Sequence, residues 1–169
     1  MFQNSLKLSL LFFLLLLTAC SDSSSSDEPD APLPPEEIED YVIWDGPITT
    51  FSKTSGADPT NSANQDNITP SVAITRGNGG EIYNAVSESQ SERGISPLGT
   101  RWAIGSVSNI QSLTFSSFRN TFTNIGNEVV GEELVLHIVD EDVYLSVTFL
   151  SWEKQQNGGA FSYERSTED

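Results

Sequence analysis

Four groups of residues in this chain have the types and spacing to do chemistry. The first is the polar stretch Thr54 to Asn67, TSGADPTNSANQDN. Its Asp58, Asn64, Asp66 and backbone carbonyls are hard oxygen donors of the kind Ca²⁺ takes. The spacing matches no EF-hand loop. A set of Asx-turns, one of them starting at Asp58-Pro59, is the simpler account. The second group is Asp140-Glu141-Asp142. Three adjacent carboxylates repel one another, and either a cation held at Asp140 and Asp142 or plain solvent around a turn would relieve them. The third is His137, the only histidine. A Ser-His-Asp triad would have to use it, yet no G-x-S-x-G elbow accompanies it, and a His-based metal site would lack a second imidazole. Its place between Leu136 and Ile138 points to a hydrogen-bonded, structural side chain. The fourth is aromatic: Trp44, Trp102, Trp152, Tyr83, Tyr144 and Tyr163. Such rings on a sheet face stack on sugars, because they offer broad apolar area with a polar edge.

The elements that must position these groups are strands. Glu133 to Val139 alternates, with Leu134, Leu136 and Ile138 on one face. Val143 to Leu150 alternates more cleanly: Val143, Leu145, Val147 and Phe149 point inward, and Tyr144, Ser146 and Thr148 point out. With the acidic turn between them, the two runs predict an antiparallel hairpin. Tyr144 is therefore the candidate for an exposed ligand platform, while core packing should claim Trp102 and Trp152. Further strands are expected at Tyr41 to Trp44, Ile48 to Lys53, Ser71 to Arg76 and Glu81 to Val86. Three more fall at Arg101 to Ile104, Ser112 to Phe115 and Ala160 to Arg165. Gly- and Pro-rich turns separate them, among them Gly77-Asn78-Gly79-Gly80 and Asn157-Gly158-Gly159. No stretch after Tyr41 carries a helical apolar stripe over three turns. Many short strands with such turns predict an all-β domain, a single antiparallel β-sandwich of jelly-roll-like form over residues 41–169.

Charge narrows the partners. Tyr41 to Asp169 holds seven Lys/Arg against sixteen Asp/Glu, a balance of −9, within a chain of net charge −16. A surface this acidic repels nucleic acid, which needs a basic footprint, and anionic lipid as well. Arg76, Arg101 and Arg165 are too few and too scattered for a basic patch, and pairing with the excess carboxylates is the role expected of them.

The N-terminal segment explains how such a domain would be held. Lys7 precedes a short apolar run from Leu8 to Leu17, too short to span a bilayer comfortably, since that takes about 20 apolar residues. A weakly positive start, a short apolar core and small residues before a cut site describe a secretory signal over residues 1–19. Leu17-Thr18-Ala19-Cys20 resembles the lipobox of bacterial lipoproteins. The resemblance implies cleavage before Cys20 and lipid on its thiol, so that the membrane is reached through a lipid anchor. Cys20 is the only cysteine, so the acylated chain would have no disulfide and no Cys-based metal site. Residues 20–40 continue as SDSSSSDEPDAPLPPEEIED after the cysteine, a Ser-, Pro- and acid-rich tether with almost nothing to bury, expected to be disordered. Its acidic run resembles the export signals of surface lipoproteins, and Ser21 does not resemble an inner-membrane retention signal. Outer membrane is the expected location.

Several phrases of the body, read together, resemble a module of secreted and anchored bacterial proteins. They include Trp44-Asp45-Gly46-Pro47, Ile74-Thr75-Arg76-Gly77, Ile82-Tyr83-Asn84, Thr100 to Gly105, Asp142 to Leu145, Ser151-Trp152 and Gly158 to Arg165. That resemblance implies an extracytoplasmic β-sandwich and supplies no catalytic residues. The expectation for function is a non-enzymatic binding or structural domain at the envelope, with a glycan or protein ligand and Ca²⁺ as a candidate support. The alternative is a small polysaccharide hydrolase working through a carboxylate pair.

Overall fold

The computed structural model describes residues 41–154 and 157–169. The leader, Cys20 and the acidic tether lie outside the described residues. The hairpin anticipated from alternation is the centre of the fold. Strand β7 (Glu133–Ile138) pairs antiparallel with β8 (Val143–Trp152), in the register Leu134 to Val147, Leu136 to Leu145 and Ile138 to Val143. Pairing like with like puts one continuous apolar face across both strands. The turn between them is tight, and Asp142 sits at φ 51°, a left-handed conformation that Asp tolerates better than most side chains.

Around this hairpin, β1 (Val42–Trp44), β2 (Thr49–Lys53), β6 (Thr100–Ile104) and β9 (Phe161–Arg165) complete the larger sheet, in the order β2-β9-β8-β7-β6. β1 runs parallel to the first residues of β8, while the other strand pairs are antiparallel. A smaller sheet is formed by β3 (Asp66–Asn67), β4 (Ala73–Arg76) and β5 (Ile82–Asn84). This is an all-β, sandwich-like domain.

The core lies where alternation directs it. Val143, Leu145, Val147 and Phe149 of β8 are buried, with Leu134, Leu136 and Ile138 of β7 and Phe161 and Tyr163 of β9. The smaller sheet and its turn contribute Ile68, Val72, Ile74 and Ile82 to the same cluster. Phe118, Phe122, Ile125 and Val129 close it from the long connection between β6 and β7. Each such side chain stabilises the fold by roughly 1.5–3 kcal/mol on burial. Trp102 is buried as expected, whereas Trp152 is only partly buried and packs against the cluster from its edge.

The connection between β6 and β7 departs from the strand expected at Ser112 to Phe115. Residues Val107–Ser112 form 3₁₀ turns, and only Ser116 pairs with the sheet, in an isolated bridge to Trp102. Ser and Asn compete for backbone hydrogen bonds and favour turns over ladders. Ser112 does so here, its hydroxyl donating to the Asn109 carbonyl at 2.8 Å. The segment then lays Phe115 against His137 and Tyr144 on the second face of the larger sheet, the face on which Val135 and Ala103 are also buried. A further small anchor holds the smaller sheet. The buried Asn84 accepts from the Ala73 and Val86 amides and donates to the Ser71 and Leu98 carbonyls, which satisfies all four of its bonding positions.

Candidate ligand-binding cleft

β4 ends at Arg76, and the chain reverses through Gly77 to Gly80 into β5. Gly80 has φ +85°, and a Cβ there would press on the Ser91 hydroxyl, so the turn requires glycine. The reversal brings the Gly80 carbonyl to Arg76, which donates to it through Nε at 3.0 Å and to the Ala160 carbonyl through Nη1 at 3.1 Å. The guanidinium lies 3.8 Å from the ring centroid of Trp152, the last residue of β8. Two carbonyls and an aromatic face thus fix a buried cation in one orientation. Burial lowers its pKa to about 10 against the opposing pull of Glu153 and Glu81, so it stays charged at neutral pH.

Glu81 follows the turn. Its Oε1 lies 3.5 Å from Arg119 Nη1, and its Oε2 is buried with no hydrogen-bond partner among the described residues. Burial raises the Glu81 pKa, opposed by Arg119, Arg93, the Gly94 amide and Arg76. Arg119 is positioned by the 3₁₀ turn Phe118–Thr121, whose Phe118 ring is clamped among Trp102, Phe149 and Trp152. Lys154 comes just after β8, and its Nζ donates to Asn127 Oδ1 at 2.5 Å, on the single helical turn α1 (Ile125–Glu128).

These groups surround a cleft of about 670 Å³, lined by Arg76, Gly80, Glu81, Arg119, Asn124, Ile125, Gly126, Asn127, Trp152 and Lys154. An adjoining hollow shares Gly80, Glu81 and Arg119 and adds Ser91 and Arg93. Arg76, Arg93, Arg119 and Lys154, half of the chain's eight Lys/Arg, therefore gather in one place on an acidic protein. Arg76, Arg101 and Arg165 form no patch among themselves, as expected, and the basic surface arises because Arg119, Arg93 and Lys154 join Arg76. Arg101 and Arg165 take no part in it.

The residues singled out from the sequence go elsewhere. Asp58, Asn64 and Asp66 do not present their oxygens to a common point. Asp58 Oδ1 accepts from the Thr60 amide at 2.9 Å and the Thr60 hydroxyl at 2.8 Å, and these two bonds lower its pKa. Asn64 Nδ2 donates to the Asp58 carbonyl at 2.8 Å, and Asn61 caps the 3₁₀ turn Ser62–Asn64. Asp66 turns away from this loop altogether, into the space between the sheets, where Arg165 and Tyr163 occupy its carboxylate. At the β7–β8 turn, Asp142 Oδ1 pairs with His137 Nε2 at 2.8 Å, Glu141 accepts from the Ser71 hydroxyl at 2.8 Å, and Asp140 is exposed. Among the described residues no group of three or more His, Cys, Asp or Glu could hold a metal ion.

Tyr144 points to the outer face, as alternation requires, but it is not an open platform. His137 stacks on it with ring centroids 4.0 Å apart and planes 3° from parallel. Tyr41 and Phe115 meet it edge-on, at 5.6 Å and 5.7 Å. The physical reason is the covering segment between β6 and β7, which lays Phe115 over this face. The aromatic residue that lines the basic cleft is Trp152, while Tyr41 lines a separate hollow with Ile43 and Ile110.

Fold and cleft together define an all-β, sandwich-like domain with a basic, tryptophan-lined recess. Comparison with protein-family models, with curated proteins and with solved structures finds no match.

Proposed function

We propose that this chain is an envelope lipoprotein, held through lipid on Cys20 at the outer membrane, whose β-domain is a non-enzymatic binding module for a saccharide. The observation that carries the binding role is the cleft. Trp152 offers the part of its indole that Arg76 leaves uncovered, apolar area of the kind that packs on sugar C–H groups, and Asn124, Asn127, Arg119 and Glu81 line the same cleft with donors and acceptors for hydroxyl groups. Glycoside hydrolysis needs two carboxyl groups some ~5–10 Å apart. Glu81 is the only carboxylate among the described residues that line this cleft, which favours holding a sugar over cutting it. The lipobox-like Leu17 to Cys20 and the acidic tether support the anchored location.

The test is binding of the full chain, purified in detergent, to an array of immobilised saccharides. Binding to at least one class, weakened by Asn127→Ala, is the expected result. No binding to any class would sink the reading. The anchor is tested separately, by incorporation of labelled fatty acid in cells and its loss in Cys20→Ala.

A further inference from the structure

We infer that the saccharide taken by this cleft is an acidic one, bearing a carboxylate or sulfate that Arg119 and Lys154 receive while a neighbouring hydroxyl donates to the Glu81 carboxylate where it lines the cleft. The inference rests on the saccharide reading above and gives its ligand a charge. Three features lead to it. First, the cations are concentrated against the trend of the molecule: a chain of net charge −16 places Arg76, Arg119 and Lys154 on one cleft and Arg93 in the adjoining hollow. A cleft walled by protein focuses such a field, and it draws in the opposite charge. Second, the cations differ in how committed they are. Arg76 is fixed by two carbonyls and the Trp152 ring. Arg119 is only loosely paired at 3.5 Å, and Lys154 is exposed on the rim with a neutral amide as its hydrogen-bond partner. Those two have donors to give to an anion, and a guanidinium fork suits both carboxylate and sulfate.

Third, Glu81 puts a carboxylate on the same cleft, held to Arg119 only at 3.5 Å. A carboxylate accepts hydrogen bonds and gives none, so it calls for a donor. A simple anion would not supply one, and would be repelled by the carboxylate. A hydroxylated anion supplies the donor with the charge set a few atoms away, which is the arrangement within an acidic sugar residue. Trp152 lines the same cleft with the part of its indole that Arg76 leaves uncovered.

The experiment is calorimetric titration of the full chain in detergent with three oligosaccharides of equal length: an oligo-uronate, a sulfated neutral oligomer and the unmodified neutral oligomer. The acidic oligomers are expected to bind at least about ten-fold more tightly than the neutral one, with affinity falling as salt rises. The exposed Lys154→Met variant should lose most of that preference while its melting temperature stays unchanged. Comparison of the uronate with the sulfated oligomer shows which anion the fork prefers. Equal binding of all three would leave the saccharide reading standing and overturn the charge assignment. Binding of the acidic oligomers that Lys154→Met and Arg119→Gln both leave intact would overturn the placement of the anion. Failure of all three to bind would overturn the saccharide reading itself.

Discussion

Asp66 and Arg165, 99 positions apart in the chain, meet in a two-pronged ion pair between the sheets, with Nε to Oδ2 at 2.7 Å and Nη2 to Oδ1 at 2.9 Å. Tyr163 adds a third bond, its hydroxyl donating to Oδ2 at 2.6 Å, and Arg165 spends Nη1 on the Ser166 carbonyl. β3 is thereby tied to β9 by charge as well as by packing. Both partners are buried, so removing one leaves the other uncompensated, which costs about 3–5 kcal/mol. Asp66→Ala should lower the urea midpoint accordingly. The Asp66→Ala, Arg165→Met double variant should recover part of the loss. A double variant no better than the single would show that the pair is not the unit of stability.

The same pair has a consequence for calcium. With Asp66 oxygens held by Arg165 and Tyr163, and Asp58 holding Thr60, millimolar Ca²⁺ should leave the melting curve superimposable on that in EDTA. A ligand that binds the folded state alone raises stability by RT ln(1 + [L]/Kd). An upward shift lost on Asp58→Ala would restore the loop as a metal site.

Lys53 presents the opposite case, a buried charge with no hydrogen-bond partner among the described residues. It is 2% exposed, and its Nζ is unsatisfied there. Burial lowers its pKa, with Arg76 adding to the effect and Glu153 and Asp58 opposing it. A base whose folded pKa lies below its unfolded value gives stability that is present above the unfolded pKa and lost as pH falls through the folded one. At pH 7 the buried ammonium is therefore a burden. Lys53→Met should raise stability at pH 7 by about 1 kcal/mol, and the gain should shrink as pH approaches 10.5. A gain independent of pH would assign the effect to packing instead.

Some of this architecture is legible in the chain and some is not, and the division follows the range of the interactions. The β7–β8 hairpin is local: alternation at Val143 to Phe149 and the acidic turn carry it without reference to anything distant. The cleft is not local. Its cations Arg76, Arg119 and Lys154, with Arg93 in the adjoining hollow, come from four separate segments that no local pattern connects. Asp66 sits in a run of Asn and Gln that reads as loop, and its partner is 99 positions away. Tyr144 shows the intermediate case. Its direction follows from the period of two, but the rings that cover it belong to Tyr41 and Phe115, which no periodicity connects to it.

That cover yields a further expectation. Aromatic pairs contribute about 0.5–1.5 kcal/mol each beyond their buried area, and Tyr144 packs against the rings of His137, Tyr41 and Phe115. Tyr144→Ala should destabilise the domain by about 2 kcal/mol or more in urea and leave saccharide affinity unchanged where the variant is folded. Loss of affinity at unchanged stability would return Tyr144 to the role of a binding platform.

Glu81 and Arg119 form the second carboxylate–arginine contact between distant segments, and it should behave unlike the first. Arg119 keeps 27% of its side chain in solvent and approaches through one nitrogen at 3.5 Å, so it loses little when Glu81 is neutralised. Glu81 itself is held with its pKa raised by burial. An acid with a raised folded pKa gives stability that is fully present below its unfolded value, near 4.5, and is lost as pH rises through the folded value. At neutral pH the ionised carboxylate is thus a net cost in the free protein. Glu81→Gln should melt at the same or a higher temperature than the wild type at pH 7, and any gain should vanish near pH 4. Affinity for the neutral oligomer, which feels no charge repulsion from Glu81, should fall in the same variant, because the charged acceptor for the ligand hydroxyl is replaced by a weaker, neutral amide carbonyl. Stability gained and affinity lost in one substitution is the pattern of a residue kept for binding. A variant that loses both would make Glu81 a structural partner of Arg119.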